Sequence, residues 1–301
     1  MLERITTPVG AVVHAARRPG TYTGHLREVT STALTAGLWP LGVVDRGIAD
    51  LRGLGSTADV PVDTPVLLVH GYGANKSNWL FLTRYLHQAG FQRIHALNYN
   101  PLRDDIPGLA ERLAERAEEL KAHFGVDRIH VVGHSMGGII ARYAVQVLGL
   151  EGVDVCITVA SPHGGVRLAR YGSLVAELGP FESGLELRPD SPVMVLLRSS
   201  ARTLSTRFVA YYTNLDLIVP ARRAMIVEPE LEATNILVKD HGHLSIMLSR
   251  RLASSVVDQL GAAEGLPGYG APLSAFRRPA AAPAPQVGPA VAGDGPATAA
   301  H

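Results

Sequence analysis

Residues 129–138, Ile-His-Val-Val-Gly-His-Ser-Met-Gly-Gly, constrain this chain more than any other segment. The apolar run at Ile129, Val131 and Val132 has the length of a buried strand, and it meets Gly133 without a polar spacer. A helix is expected from about Met136 to Leu148, because Ile139, Ile140, Ala144 and Val145 continue the apolar character at helical spacing. Strand, reversal and helix must therefore fit within a few residues, and Gly133, Gly137 and Gly138 provide the room. The five residues 133–137 match Gly-x-Ser-x-Gly, a turn that lifts a serine hydroxyl above the end of a sheet. Such a turn aims the amide after the serine, here Met136, at the carbonyl under attack. The helix amino end also favours negative charge at that point. A glycine-rich turn without chemistry would share these letters; the apolar strand before it and the apolar helix after it favour chemistry at Ser135.

Other segments repeat the alternation. Strands are expected at 66–69, 93–99, 153–159, 207–213 and 234–238. Between them, helices are expected at 78–88, about 105–123 and about 244–260. In the second of these, Ile106, Leu109, Leu113, Leu120 and Phe124 form an apolar stripe opposite Glu111, Glu115 and Glu118. Strands alternating with helices over this length predict a mostly parallel sheet covered by helices on both faces, an α/β fold. Residues 166–205 are rich in Gly and Pro and are expected to form either a small lid or an ordinary crossover. Three regions follow. Residues 1–60 form an amino-terminal helical or extended extension, with a helix at about 29–52 interrupted near Trp39-Pro40. Residues 61–261 form the α/β domain, and residues 262–301 form a Pro/Ala/Gly-rich tail without the material for a core.

A serine hydroxyl needs a base, and the base needs an orienting acid. His243 follows one expected strand and precedes the last expected helix, and Asp216 lies in a loop after the strand at 207–213. The order Ser135, Asp216, His243 is the one this fold uses. His241, paired locally with Asp240, competes for the role of base; Gly242 and the following helix favour His243. Asp190 is a second candidate acid, Glu228 reads as a solvated turn, and His134 as a satisfied core or pocket-lining ring. The oxyanion requires at least two donors. Met136 supplies one amide, and the loop His70-Gly71-Tyr72-Gly73 supplies the other, assigned to Tyr72. Trp79, His163 and Ile139 are expected to line the substrate pocket, and an apolar acyl group would suit them.

Composition narrows the function classes. The 28 basic and 27 acidic residues leave a net charge of +1, with no broad field to attract nucleic acid. Cys156 is the only cysteine, so no internal disulfide and no multi-thiolate metal site can form. No tight metal-binding spacing appears beyond the His241, His243 pair, and the chemistry expected at Ser135 calls for no cofactor and no metal. Apolar residues 34–44 are too short to span a bilayer and are expected to pack on the core or dock on a surface, where lipid contact would be transient. The amino end lacks the pattern of a secretory signal, which predicts a cytoplasmic location. The sequence leaves the oligomeric state open.

Taken together, His70-Gly71-Tyr72-Gly73, Gly133-His134-Ser135-Met136-Gly137-Gly138, Ser161-Pro162-His163-Gly164-Gly165, the Asp216 loop and Gly242-His243-Leu244 resemble the bacterial lipase and esterase group of the α/β-hydrolases. The resemblance covers about residues 60–260. It implies a carboxylic ester hydrolase with Ser135, Asp216 and His243 as triad, with the Tyr72 and Met136 amides as oxyanion donors, and with a small-molecule or lipid ester as partner. An acyltransferase or thioesterase would use the same triad. A binding protein could keep the scaffold without the reaction.

Overall fold

A computed structural model of the chain describes residues 19–43, 62–100, 104–166 and 182–269. Six strands, β1 (Val66–Val69), β2 (Ile94–Leu97), β3 (Ile129–His134), β4 (Val153–Val159), β5 (Arg207–Thr213) and β6 (Thr234–Val238), form one sheet. Their spatial order is β2-β1-β3-β4-β5-β6, and every pairing is parallel. The central strands are buried on both faces, which is why they read as apolar runs and not as alternating patterns.

Alternation still decides which face each side chain serves. Leu67, Val69, Val131, Cys156, Phe208 and Ala210 point into one core, and Val66, Leu68, Val132, Ile157, Val209 and Tyr211 into the other. Six helices are labelled here in chain order: α1 (Pro19–Val43), α2 (Leu80–Gln88), α3 (Ile106–Phe124), α4 (Met136–Gln146), α5 (Pro192–Ser199) and α6 (Arg250–Ala263). The first core is closed by α3, α4 and α5, and the second by α2 and α6.

Local sequence explains most element ends. The Asp105 side chain caps α3 by accepting from the Gly108 amide at 2.8 Å, and left-handed Gly125 (φ 63°) stops it. Ile106, Leu109, Leu113 and Leu120 then face the core as their spacing predicts. Every residue of α4 is buried, because α4 sits against the sheet beneath α3 and α5. The lone thiol of Cys156 lies inside that core, and burial pushes it up to about 12.

Several expectations need correction. The expected helix at 29–52 is a helix over Pro19–Val43, and residues 44–52 lie outside the described residues. Pro40 lies inside the helix and does not interrupt it, although it removes one amide donor to the preceding turn. Leu26, Val29, Leu34 and Trp39 stay exposed, so α1 does not pack into the core as its apolar composition suggested. The helix instead contacts loops of the main domain through polar groups, so the described part of the expected extension, Pro19–Val43, is docked on that domain. Leu266 and Tyr269 pack on the second core, which carries the folded unit past residue 261. The rest of the expected tail, from residue 270, lies outside the described residues. So does 167–181 of the expected lid; its later part, α5, buries Val193, Met194 and Leu197. Glu228 is not a solvated turn. It pairs at 2.9 Å with the fully buried Arg142 on α4. Among the described residues, no helix is long and apolar enough to cross a membrane.

Candidate active site

The site forms where the carboxyl ends of β3, β5 and β6 meet. Ser135 links β3 to α4 at φ 54° and ψ −123°, a conformation that non-glycine residues rarely adopt. Its amide donates to the Val159 carbonyl at 2.8 Å, so the neighbouring strand holds the turn down. Gly137 allows α4 to lie against β1, since a methyl group there would collide with the Val69 carbonyl oxygen. Ser135 is half-buried and opens toward the loop after β1. A methyl group at Gly71 would lie 2.9 Å from Ser135 Cβ, so that loop passes directly over the serine.

The three side chains singled out from the sequence come together. Asp216 lies three residues past β5, and its Oδ1 accepts from the Ile218 and Val219 amides at 2.8 and 2.7 Å. Its Oδ2 is 2.7 Å from His243 Nδ1. A carboxylate can only accept, so Nδ1 carries the proton and Nε2 is left as an acceptor. The Ser135 hydroxyl lies 3.0 Å from that Nε2 and donates to it. His243 is buried, which by itself lowers its pKa; the charge and hydrogen bond of Asp216, with a further contribution from Glu28, outweigh burial and raise it above the ordinary 6.5.

A second, unforeseen chain of groups holds the base loop. His134 Nε2 donates to the His243 carbonyl at 3.1 Å, and its Nδ1 accepts from the Asn78 side-chain amide at 3.2 Å. The His134 and His243 rings lie 5.0 Å apart. Burial, with the nearby His243 charge, drives His134 down to about 3, so it stays neutral. The sequence marked His134 as a satisfied ring but gave no sign of its partner Asn78, which lies 56 residues away. The ring that meets Ser135 is that of His243; the competing His241 accepts from the Thr213 hydroxyl through its carbonyl. Among the described residues, no three His, Cys, Asp or Glu side chains gather as metal ligands.

Two backbone amides are the expected oxyanion donors, those of Met136 and Tyr72. Met136 opens α4, so its amide has no partner within the helix. Tyr72 occupies the turn closed by the Ala74 amide and the Gly71 carbonyl. Beneath that turn, His70 stacks on Tyr99 with ring centroids 4.1 Å apart, and burial lowers its pKa to about 4.

The three expected pocket residues lie elsewhere. Trp79 and Ile139 are fully buried in the second and first cores. Their bulk completes the packing of the sheet, so neither has surface left for a substrate. His163 is buried as well, and its Nε2 lies 2.9 Å from the Thr158 hydroxyl.

A sequence model described as the alpha/beta hydrolase family matches residues 66–213, from β1 to the end of β5. This segment belongs to the α/β-hydrolase superfamily. Among curated relatives, this α/β-hydrolase is 30% identical over 163 residues to a triacylglycerol lipase of Burkholderia plantarii, covering 49% of its own length and 45% of the relative's. It is 35% identical over 98 residues to the dihydrolipoyllysine-residue acetyltransferase component of the acetoin cleaving system of Pseudomonas putida, covering 29% of its own length and 23% of that protein. The α/β-hydrolase thus spans less than half the length of these curated relatives. In fold it is similar to the mature Bacillus licheniformis lipase BlEst2, with TM-score 0.54 and 18% identity, over 68% of its own chain and 95% of the lipase.

Proposed function

We propose that the chain is a serine-dependent carboxylic ester hydrolase acting on esters with an apolar acyl group. The observation that carries this reading is the hydrogen-bonded line from Asp216 Oδ2 through His243 to Ser135 Oγ, with links of 2.7 and 3.0 Å. The strained turn at Ser135 adds support, as do the names of the lipase relatives. For the acyl preference, the support is the exposed Leu217 beside Asp216 and the half-buried Tyr72 and Leu244.

In this mechanism Ser135 Oγ attacks the ester carbonyl carbon while His243 Nε2 takes its proton. Asp216 keeps Nδ1 protonated and stabilises the charged ring. The Met136 and Tyr72 amides receive the oxyanion. Collapse breaks the bond to the leaving alcohol, which takes the proton back from His243. Water then attacks the acyl-serine and gives its proton to His243. The carboxylic acid leaves, and Ser135 regains its hydrogen.

A transfer reaction, with an alcohol or thiol in place of that water, is suggested by the acetyltransferase name of the Pseudomonas putida relative. A fluorophosphonate probe and a series of p-nitrophenyl esters test both readings. The wild type should label once and release p-nitrophenol steadily, and Ser135→Ala should do neither. Labelling with steady release only when an acceptor alcohol or thiol is added would favour transfer. A folded wild type that never labels would sink both.

A further inference from the structure

Helix α1 lies wholly outside the segment that matches the hydrolase family, yet it reaches the loops that carry Asp216, His243 and Tyr72. At its first half, a methyl group at Gly24 would collide with Leu215, next to Asp216, and Arg27 donates to the Asp240 carbonyl at 3.2 Å. At its far end the Trp39 indole donates to the Gly73 carbonyl at 3.3 Å, and the Asn75 side chain donates to the Trp39 carbonyl at 2.8 Å. Between these ends the helix leaves a cavity of about 270 Å³ lined by Leu34, Leu38, Leu80, Phe81, Met247 and Leu248. Polar contacts at its ends therefore do much of the work of seating it.

The most specific of these contacts is made by Glu28. Its Oε1 accepts from the Leu244 amide at 2.8 Å and its Oε2 from the Ser245 amide at 2.9 Å. These are the two residues directly after His243. Gly242 opens the space for this grip, since a methyl group there would collide with the Glu28 carboxylate. The far side of the same loop is held by His134 through the His243 carbonyl.

We infer that Glu28 is a positioning residue for the base: its carboxylate clamps the backbone after His243 and fixes the imidazole against Ser135, a role supplied from outside the family segment. This rests on the hydrolase mechanism proposed above. A bidentate grip on consecutive amides fixes both the position and the tilt of the loop, and a small displacement of a catalytic group costs rate steeply. The charged and titratable groups around His243 are Asp216 from the loop after β5, His134 from β3 and Glu28 from α1, with Arg27, Asp240 and His241 close to Glu28. The Glu28 charge favours the imidazolium, so its removal should move the acid limb of kcat/KM to lower pH.

The test compares the full-length wild type with Glu28→Gln and Glu28→Asp, and with exposed Val29→Ala as the control on the same helix. On a soluble short p-nitrophenyl ester, Glu28→Gln should lower kcat by about 10- to 100-fold with little change in KM. Its acid limb should shift to lower pH, and fluorophosphonate labelling of Ser135 should slow in proportion to kcat. Glu28→Asp keeps the charge but shortens the reach, so it should lose part of kcat and hold the limb near the wild-type position. If Glu28→Gln is unstable, Glu28→Asp carries the same kinetic comparison. Wild-type kcat and wild-type labelling in a folded Glu28→Gln protein would overturn the clamp, and so would a loss of melting temperature alone. An unlabelled wild type would instead strike down the serine mechanism on which the clamp depends.

Discussion

At the residue scale, burial separates the groups that can meet a substrate from those that complete the core. Ser135 is half-buried, whereas Ile139, one turn into α4, is fully enclosed. An apolar residue near a nucleophile suggests a pocket in sequence, but the direction of its side chain depends on which flank of α4 faces the sheet. Ile139→Ala should therefore cost about 2–5 kcal/mol of stability in chemical denaturation. It should leave the preference for ester chain length unchanged; a marked change in that preference would restore Ile139 to the pocket. The residues of the Asp216–His243–Ser135 hydrogen-bonded line were legible because each sits in a strand-end loop. The Asn78 and Glu28 contacts were not legible. Both residues are common, and their partners lie 56 and more than 200 residues away.

At the element scale, the strand–turn–helix unit at 129–146 is where sequence and structure agree most closely. β3 and α4 are joined by one residue, so the packing of the helix on the sheet and the angle of the serine are a single geometric fact. Gly137→Ala tests it directly. The added methyl group meets the Val69 carbonyl oxygen, a backbone atom that can move only if β1 moves. A loss of about 3 kcal/mol or more is expected, together with a loss of ester hydrolysis larger than the unfolded fraction explains. Full stability and activity in that variant would mean that α4 does not pack as described. The strands 66–69, 153–159 and 207–213 were placed to the residue, because buried parallel strands declare themselves as short apolar runs, and so was the half-buried edge strand 234–238. Helix α1 was the poorest expectation. Its sequence is apolar, but its docking depends on scattered polar contacts that follow no period.

At the scale of the whole molecule, several histidines were folded away from water as neutral rings. Burial lowers His70 to about 4, His134 to about 3 and His163 well below 6.5. In the unfolded chain these rings would take up protons near pH 6.5. As the pH falls below that value, the unfolded state therefore binds more protons than the folded one, and stability declines. His243 has the opposite sign: its raised pKa contributes stability that is complete below 6.5 and is lost as the pH rises through its folded value. Burial lowers His241 too, so four depressed rings outweigh one raised ring, and the melting temperature should fall steadily from pH 7 to pH 4.5. A flat profile across that range would contradict the burial of these imidazoles.

The sequence alone determined the parallel α/β architecture and the strand–turn–helix unit at Ser135, because each is written in contiguous residues whose periodicity and glycine content act locally. Only the tertiary structure decided which ring faces Ser135, that Trp79, Ile139 and His163 belong to the interior, and that an amino-terminal helix grips the base loop. Those outcomes depend on distances closed between segments far apart in the chain. Such distances follow from how the layers pack together, and no local pattern of residues encodes them.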